Sequence, residues 1–267
     1  MLSLAAHSLT ALKARALASG LTHEELAALA VDPRQGARRL ASAIEARMGA
    51  QAAEMERLLG MLRYEQALWR AGQSAVAGVD EVGVGPLAGP VVAAAVILSP
   101  GTSIEGVNDS KKLSAKKRAQ LDVSIRREAV AWAVGMCSAQ EIDARNIFAA
   151  TREAARRAVA ALSCAPSHVL VDAHAVPRLN VAQTPIVEGD CLSQSIAAAS
   201  IVAKVARDRL MCGLDARYPG YGFAQHAGYG TAQHLAALKQ LGACPEHRRS
   251  FSPVAAAIAR QAPTAAL

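Results

Sequence analysis

Apolar side chains recur at three- to four-residue steps at Leu40, Ile44, Met48, Met55, Leu59 and Leu62, with charged residues between them. This stripe predicts an amphipathic helix. Upstream, Thr22 and Glu25 stand at capping-box spacing, and Asp32-Pro33 is a helix start with proline in the first turn. Residues 1–70 therefore read as a helical N-terminal extension that packs on the body or on a partner, without a direct part in chemistry. The stretch AGQS at 71–74 reads as a linker.

From residue 75 the period changes. Apolar runs over 75–82 and 90–98 predict two strands around a segment rich in glycine and proline. Residues 116–128 read as a helix, 130–137 (VAWAVGMC) as a strand and 146–162 as a helix. HVLVD at 168–172 is a short apolar strand that ends in an acid. An Ala-rich helix is expected over about 192–214 and a shorter one over 231–241. Three strands ahead of a helix–strand–helix run predict an α/β fold, a mixed sheet flanked by helices.

Composition narrows the picture. A chain of 267 residues allows one large domain, or one domain with a smaller appendage. Aromatic residues make up only 3%, so Ala, Val, Leu and Ile must fill the core. The formal net charge of +7 suits an anionic partner, of which nucleic acid is the common one. Five cysteines without a CxxC pair argue against a disulfide framework and against a thiolate zinc site. Lys13 and Arg15 interrupt the apolar N-terminal stretch, which does not read as a secretory signal. The longest apolar run, 86–98, is too short to span a membrane. A monomer in a reducing cytoplasm is expected.

Four carboxylates stand where apolar or structural residues belong. Asp80 and Glu81 close the first strand, Asp172 closes HVLVD, and Asp190 lies in VEGDCLSQS just before the long helix. Strand ends and helix starts converge on ligand sites in α/β sheets. Adjacent strand residues point to opposite faces, so Asp80 and Glu81 share a site only if the strand bends or ends there; Gly83 permits this. Clustered carboxylates repel unless a hard divalent cation joins them, and Mg²⁺ or Mn²⁺ suits such oxygens. Two ions about 3.5–4 Å apart can clamp both oxygens of a phosphodiester displacement. Taken singly, Asp190 could instead be a helix cap and Asp172 a loop residue.

Three further segments carry possible chemistry. Gly83-Val84-Gly85-Pro86-Leu87-Ala88 matches a relaxed dinucleotide fingerprint, but a strand follows it where that fingerprint needs a helix. A turn whose backbone amides face an anion fits better. Lys111, Lys112, Lys116, Lys117 and Arg118 form a basic patch, either a solvated helix start capped by Ser114 or a grip on phosphate. The loop 218–234 holds three of the four tyrosines, which suit packing or stacking on a sugar or base. His226 and His234 lack partners at zinc-ligand spacing.

Over about residues 60–255 the chain resembles bacterial ribonuclease HII. The matching stretches are AGVDEVGVGPLAGPVVAAAVIL, VNDSKKLSAKKR, EIDARNI, LVDAHAVPRLNVAQ, EGDCLSQSIAAASIVAKVARDRLM, YGFAQHAGYGTAQH and HRRSFSPV, in the family's order. The segment RYEQALWRAG is similar to the end of the N-terminal extension of some bacterial members. The resemblance implies a ribonuclease H-like catalytic domain over 71–267 with a helical C-terminal part. It implies an endonuclease acting on RNA/DNA hybrids and on single ribonucleotides in duplex DNA. The cut would fall 5′ of the ribonucleotide and leave a 3′-hydroxyl and a 5′-phosphate. It puts the metal-binding acids at Asp80, Glu81, Asp172 and Asp190, holding two Mg²⁺ or Mn²⁺ ions. The 2′-hydroxyl-reading turn falls on Gly83-Val84-Gly85 and the junction-stacking tyrosine on Tyr229. Beside an acidic metal site the basic patch reads as a grip on backbone phosphate, made by Lys111 and Lys112. Two positions depart from the family. Val84 stands where arginine is usual, and Glu188 where lysine is usual. The first removes a guanidinium from the phosphate side of the turn, so weaker discrimination of a lone ribonucleotide is expected; the second adds an acid near the metal site, so weaker attraction of the substrate is expected.

Overall fold

The computed structural model describes residues 7–18 and 20–261. Residues 1–6 and 19, on which part of the signal-sequence reading falls, lie outside the described residues. The chain divides into two compact units, residues 1–57 and 58–267.

The first unit is helical. It holds α1 (Leu9–Ala18), α2 (His23–Ala30) and most of α3 (Gln35–Met61). Thr22 caps α2 in the expected capping box with Glu25. Leu12, Leu29, Ala37 and Ala41 form its small core.

The second unit begins with the last turn of α3 and α4 (Arg63–Arg70), then β1 (Val76–Val82) and β2 (Val91–Ile97). After a 3₁₀ turn at Ser110–Lys112 come α5 (Ala115–Glu128), β3 (Ala131–Cys137), α6 (Ala139–Arg145) and α7 (Ile147–Ala160). The remainder is β4 (His168–Asp172), β5 (Ala182–Ile186), α8 (Gly189–Leu192), α9 (Gln194–Arg217), α10 (Phe223–His226), α11 (Ala232–Leu241) and α12 (Ser252–Gln261). The strands form one mixed five-stranded sheet in the order β3-β2-β1-β4-β5. β1 pairs antiparallel with β2 and parallel with β4, and β4 is parallel to β5.

Small residues set how closely the helices approach the sheet. On one face, α9 lies so near β1 that a Cβ at Gly78 would meet the backbone carbon of Ser195 at 2.0 Å. α5 packs beside α9 through Leu121 and Ile125. On the other face α7 presents Ala150, Ala154, Ala155 and Ala158 to Ala77, Val79, Ala93 and Ala95. Gly135 lets the α7 backbone approach β3 in the same way. Alanine, valine, leucine and isoleucine thus build the core, as the scarcity of aromatic residues requires.

The sheet also corrects the expected elements. β5 has the sequence AQTPI, which shows no apolar alternation, and it sits at the sheet edge with only Ile186 buried. The long helix starts at Gln194, where Ser193 is the N-cap, and Asp190 sits in the separate turn α8. Asp190 is therefore not the cap of α9. Among the described residues, all five cysteines are free, and no helix is long and apolar enough to cross a membrane.

Candidate active site

The four acids gather at the carboxyl ends of β1 and β4. The parallel pairing of these strands runs to Val79 and Val171, so Asp80 and Asp172 come next in register. Both lie on the face covered by α9, where Gly78 and Leu170 pack. Glu81 belongs to the opposite face of β1, because the strand stays regular to Val82. β1 does not bend at Glu81 but ends one residue later, at Val82, and the Glu81 carboxyl feels both Asp172 and Lys111. Asp190 enters from α8, whose first residue donates its N–H to Asp172 Oδ1 at 2.8 Å.

These carboxylates are costly to ionise together. Burial, then Glu81 and Asp172, pushes the Asp80 carboxyl well above its usual range, against a hydrogen bond from Ser200. Burial and Asp172 raise Glu81. Burial, Asp109 and Asp172 raise Asp190. Lys111 is the nearby cation, its Nζ 3.9 Å from Asp190 Oδ2. Burial alone would lower the Lys111 ammonium, but Asp190, Asp109, Asp80 and Asp172 together hold it above its ordinary value. Among the described residues, no three His, Cys, Asp or Glu side chains are arranged to hold a metal ion as they stand. Two of the acids face backbone amides instead: Asp80 Oδ1 accepts the Glu81 N–H at 2.7 Å, and Asp172 that of Gly189. The donor set nevertheless fits hard divalent cations. It consists of carboxylate oxygens whose mutual repulsion a cation would relieve.

The basic patch divides into residues that face the acids and residues that do not. Asp109 caps the 3₁₀ turn by accepting the Lys111 N–H at 2.9 Å, which presents Lys111 to the acids. Ser110 shares a hydrogen bond of 2.9 Å with Ser200 on α9, linking this turn to Asp80. Lys112 is exposed, with Nζ 3.3 Å from Cys191 Sγ. Arg118 is not free to grip phosphate. It folds back on the carbonyls of Ser110 and Leu113 and approaches Asp208. Ser114 caps α5 as expected.

The glycine turn and Tyr229 stand side by side. Gly83 has a φ of +89°, which only glycine adopts without strain, and a Cβ there would strike the Arg207 side chain. Gly85 is exposed, and the Tyr229 ring edge lies 3.7 Å from where a Gly85 side chain would begin. Val84 is half-buried against the α7-side core. Of the loop tyrosines, Tyr221 is structural, its buried hydroxyl donating to the Gly242 carbonyl, whereas Tyr229 is 46% exposed. Glu188 is exposed, in left-handed backbone two residues before Asp190.

Two fully buried arginines behind the turn escaped the sequence reading. Arg248 donates to the carbonyls of Gly83, Val84 and Gly89, and Arg207 to those of Ala88, Pro90 and Ala227. Neither makes a carboxylate ion pair among the described residues. Burial lowers both, Arg248 to about 9 with the neighbouring Arg207 charge contributing. Their donors hold the turn's carbonyls inward, and the Val84 and Gly85 amides make no backbone hydrogen bond among the described residues. A usable signal was present: Ser200 and Arg207 lie seven residues apart on the buried stripe of α9.

Glu65 of α4 was also missed. It is fully buried at the start of α9 and accepts hydrogen bonds from the Ser193 hydroxyl and from the Ser195 hydroxyl and amide. A carboxylate there complements the helix dipole and fixes the segment that follows Asp190.

Residues 77–254 match the family described as Ribonuclease HII, and residues 11–69 match the Ribonuclease HII N-terminal domain. The Ribonuclease HII of Anaeromyxobacter sp. (strain Fw109-5) is 52% identical over 238 residues, which cover 89% of this chain and 76% of that protein. The crystal structure of ribonuclease H2 from Pyrococcus horikoshii OT3 superposes with a TM-score of 0.60 at 28% identity, covering 69% of this chain and 97% of that one. Bst-RNase HIII in complex with Mn²⁺ shares the fold, with a TM-score of 0.53 at 18% identity over 70% of each chain.

Proposed function

Since this chain belongs to the ribonuclease HII family and is a type 2 ribonuclease H, we propose that it cuts RNA strands in RNA/DNA hybrids and also cuts 5′ of single ribonucleotides in duplex DNA. Such a cut opens the strand at the ribonucleotide and so begins its removal from DNA. The observation that carries this reading is the convergence of Asp80, Glu81, Asp172 and Asp190 beside Lys111, with Asp80, Glu81 and Asp190 raised by burial and by neighbouring acids.

In this reading the four acids hold two Mg²⁺ or Mn²⁺ ions. Held by these residues, such ions would supply a water of lowered pKa and charge stabilisation for the departing 3′-oxygen. Asp80, braced by Ser200, and Asp172, braced by the Gly189 amide, keep their carboxylates at the strand ends while substrate arrives. Water attacks the phosphate in line. The P–O3′ bond breaks, leaving a 3′-hydroxyl upstream and a 5′-phosphate on the ribonucleotide. Lys111 and Lys112 meet backbone phosphate. The amides of the Gly83–Gly85 turn, whose carbonyls Arg248 holds, read the 2′-hydroxyl. Tyr229 stacks at the junction beside Gly85. All of these groups lie within residues 71–267, and the 1–70 extension supplies none of the reacting atoms.

Val84 favours a second reading, a nuclease that prefers long hybrids. Its half-buried isopropyl group cannot meet a phosphate. Both readings are tested by metal-dependent cleavage of a duplex with one ribonucleotide beside a long hybrid, with Val84→Arg in parallel. Cutting of both substrates, 5′ of the ribonucleotide, supports the first. Cutting of the hybrid alone, with the other activity restored by Val84→Arg, supports the second. Cutting of neither refutes both.

A further inference from the structure

Behind Tyr229 lies a chain of buried polar groups that takes no part in the chemistry above. His234 and His247 are 0% and 1% exposed, and their Nε2 atoms are 3.0 Å apart. His247 Nδ1 lies 3.0 Å from the Cys244 amide nitrogen and 3.1 Å from Cys244 Sγ. His234 Nδ1 lies 2.9 Å from the Tyr229 carbonyl oxygen.

Donor and acceptor chemistry fixes the protons. A backbone N–H can only donate, so His247 Nδ1 carries the lone pair and its one proton sits on Nε2. That proton points at His234 Nε2, which must accept. The His234 proton is therefore on Nδ1 and is donated to the Tyr229 carbonyl. A second proton on either ring would set one N–H against another. Burial, with His234 opposing charge, lowers His247 to about 4, and burial lowers His234, in keeping with two neutral rings. His226 is fixed likewise. Its Nδ1 accepts the Gly228 amide at 3.2 Å and its Nε2 donates to the Tyr221 carbonyl, while its ring stacks on His234 at 4.6 Å.

The Tyr229 loop needs such anchors. Ala227 and Gly228 precede it with φ of 49° and 81°, two successive left-handed residues. Three consecutive carbonyls are each tied down: Ala227 by Arg207, Gly228 by the Leu87 amide, and Tyr229 by His234 together with the Thr231 amide.

We propose that His234 and His247 form a neutral imidazole relay from Cys244 to the Tyr229 carbonyl, and that they are positioning residues for the Tyr229 ring at the junction. The proposal rests on the reading of Tyr229 as the stacking residue.

The test has two readouts. Nitrogen-15 NMR of labelled histidine in the intact chain at pH 7 needs no variant for the tautomers themselves, with assignments made by signal loss in His234→Asn and His247→Gln. His234 should be the Nδ1–H tautomer and His247 the Nε2–H tautomer. The second readout is the ratio of kcat/KM on a single-ribonucleotide duplex to that on a long hybrid. His234→Gln loses the donor at the Nδ1 position, so this ratio should fall about 3- to 10-fold, as for one lost hydrogen bond. His234→Asn keeps an N–H there and should restore it. An Nε2–H tautomer at His234 overturns the relay. So does a ratio that His234→Gln leaves alone while Tyr229→Ala lowers it. If neither substitution changes the ratio, the role of Tyr229 falls, and the positioning claim with it; the tautomers then judge the hydrogen-bond chain by itself.

Discussion

Replacing Gly78 by alanine tests whether the fold delivers the site through the close approach of α9 to β1. The added Cβ would lie 2.0 Å from the Ser195 carbon, 2.3 Å from the Ile196 nitrogen and 2.4 Å from the Ser195 oxygen. Ordinary contact begins at 3.4 Å, and all three obstacles are backbone atoms that no rotamer change can move. The first turn of α9 must therefore retreat by more than about 1 Å. Overpacking of this kind costs about 1–3 kcal/mol, and the gain from removing a strand glycine offsets only about 0.5–1 kcal/mol. The same retreat draws Ser200 away from Asp80 and shifts Asp190, which precedes that turn. A misplacement of about 1 Å can lower the rate about 10²-fold. Urea denaturation and initial rates of hybrid cleavage read the two effects. Gly213→Ala in the same helix is the control, because nothing lies within 4 Å of its added Cβ. It should gain up to about 1 kcal/mol. A Gly78→Ala protein with the wild-type midpoint and rate would refute this account of how the helix is seated.

Glu65→Ala removes the acceptor of three buried hydrogen bonds at the start of α9 and should cost about 3 kcal/mol in urea denaturation; a change below about 1 kcal/mol would deny Glu65 its anchoring role. His247 is held near 4 in the folded chain against 6.5 for an ordinary histidine. Between those values the unfolded chain binds a proton that the folded chain refuses. Its contribution is therefore fully present above pH 6.5 and lost as pH falls toward 4, by about 3 kcal/mol. Wild type should lose that much relative to His247→Gln between pH 7.5 and 4, and parallel pH profiles would contradict it. Lys111→Ala should weaken hybrid binding and reduce the salt-dependence slope by about 1, as for one lost phosphate contact; an unchanged slope would remove Lys111 from the interface.

How much of this was legible in the chain depended on the range of the interactions. The strands at 75–82, 90–98 and 168–172 declared themselves because their central residues are buried on both faces and so read as apolar runs, interrupted only where the acids stand. β5 did not, since an edge strand with one buried residue has no pattern to read. The acids at strand ends pointed to one pocket, but the regular course of β1 through Glu81 was not visible in a local sequence with Gly83 so near. Glu65 meets residues about 130 positions away and Arg248 about 160, and nothing local marks either side chain as buried. His234 lacked a partner at ligand spacing because its partner, His247, comes from the loop beyond α11 and shares a proton with it rather than a metal.

The central claim is that the carboxylates at the ends of β1 and β4 perform hydrolysis through divalent cations. Asp80→Asn, assayed for both cleavage and binding of an RNA/DNA hybrid in Mg²⁺ or Mn²⁺, tests it most directly. The account predicts a loss of cleavage of about 10³-fold or more, with hybrid affinity changed only a few-fold. Cleavage that survives, or falls only as far as binding does, would contradict it.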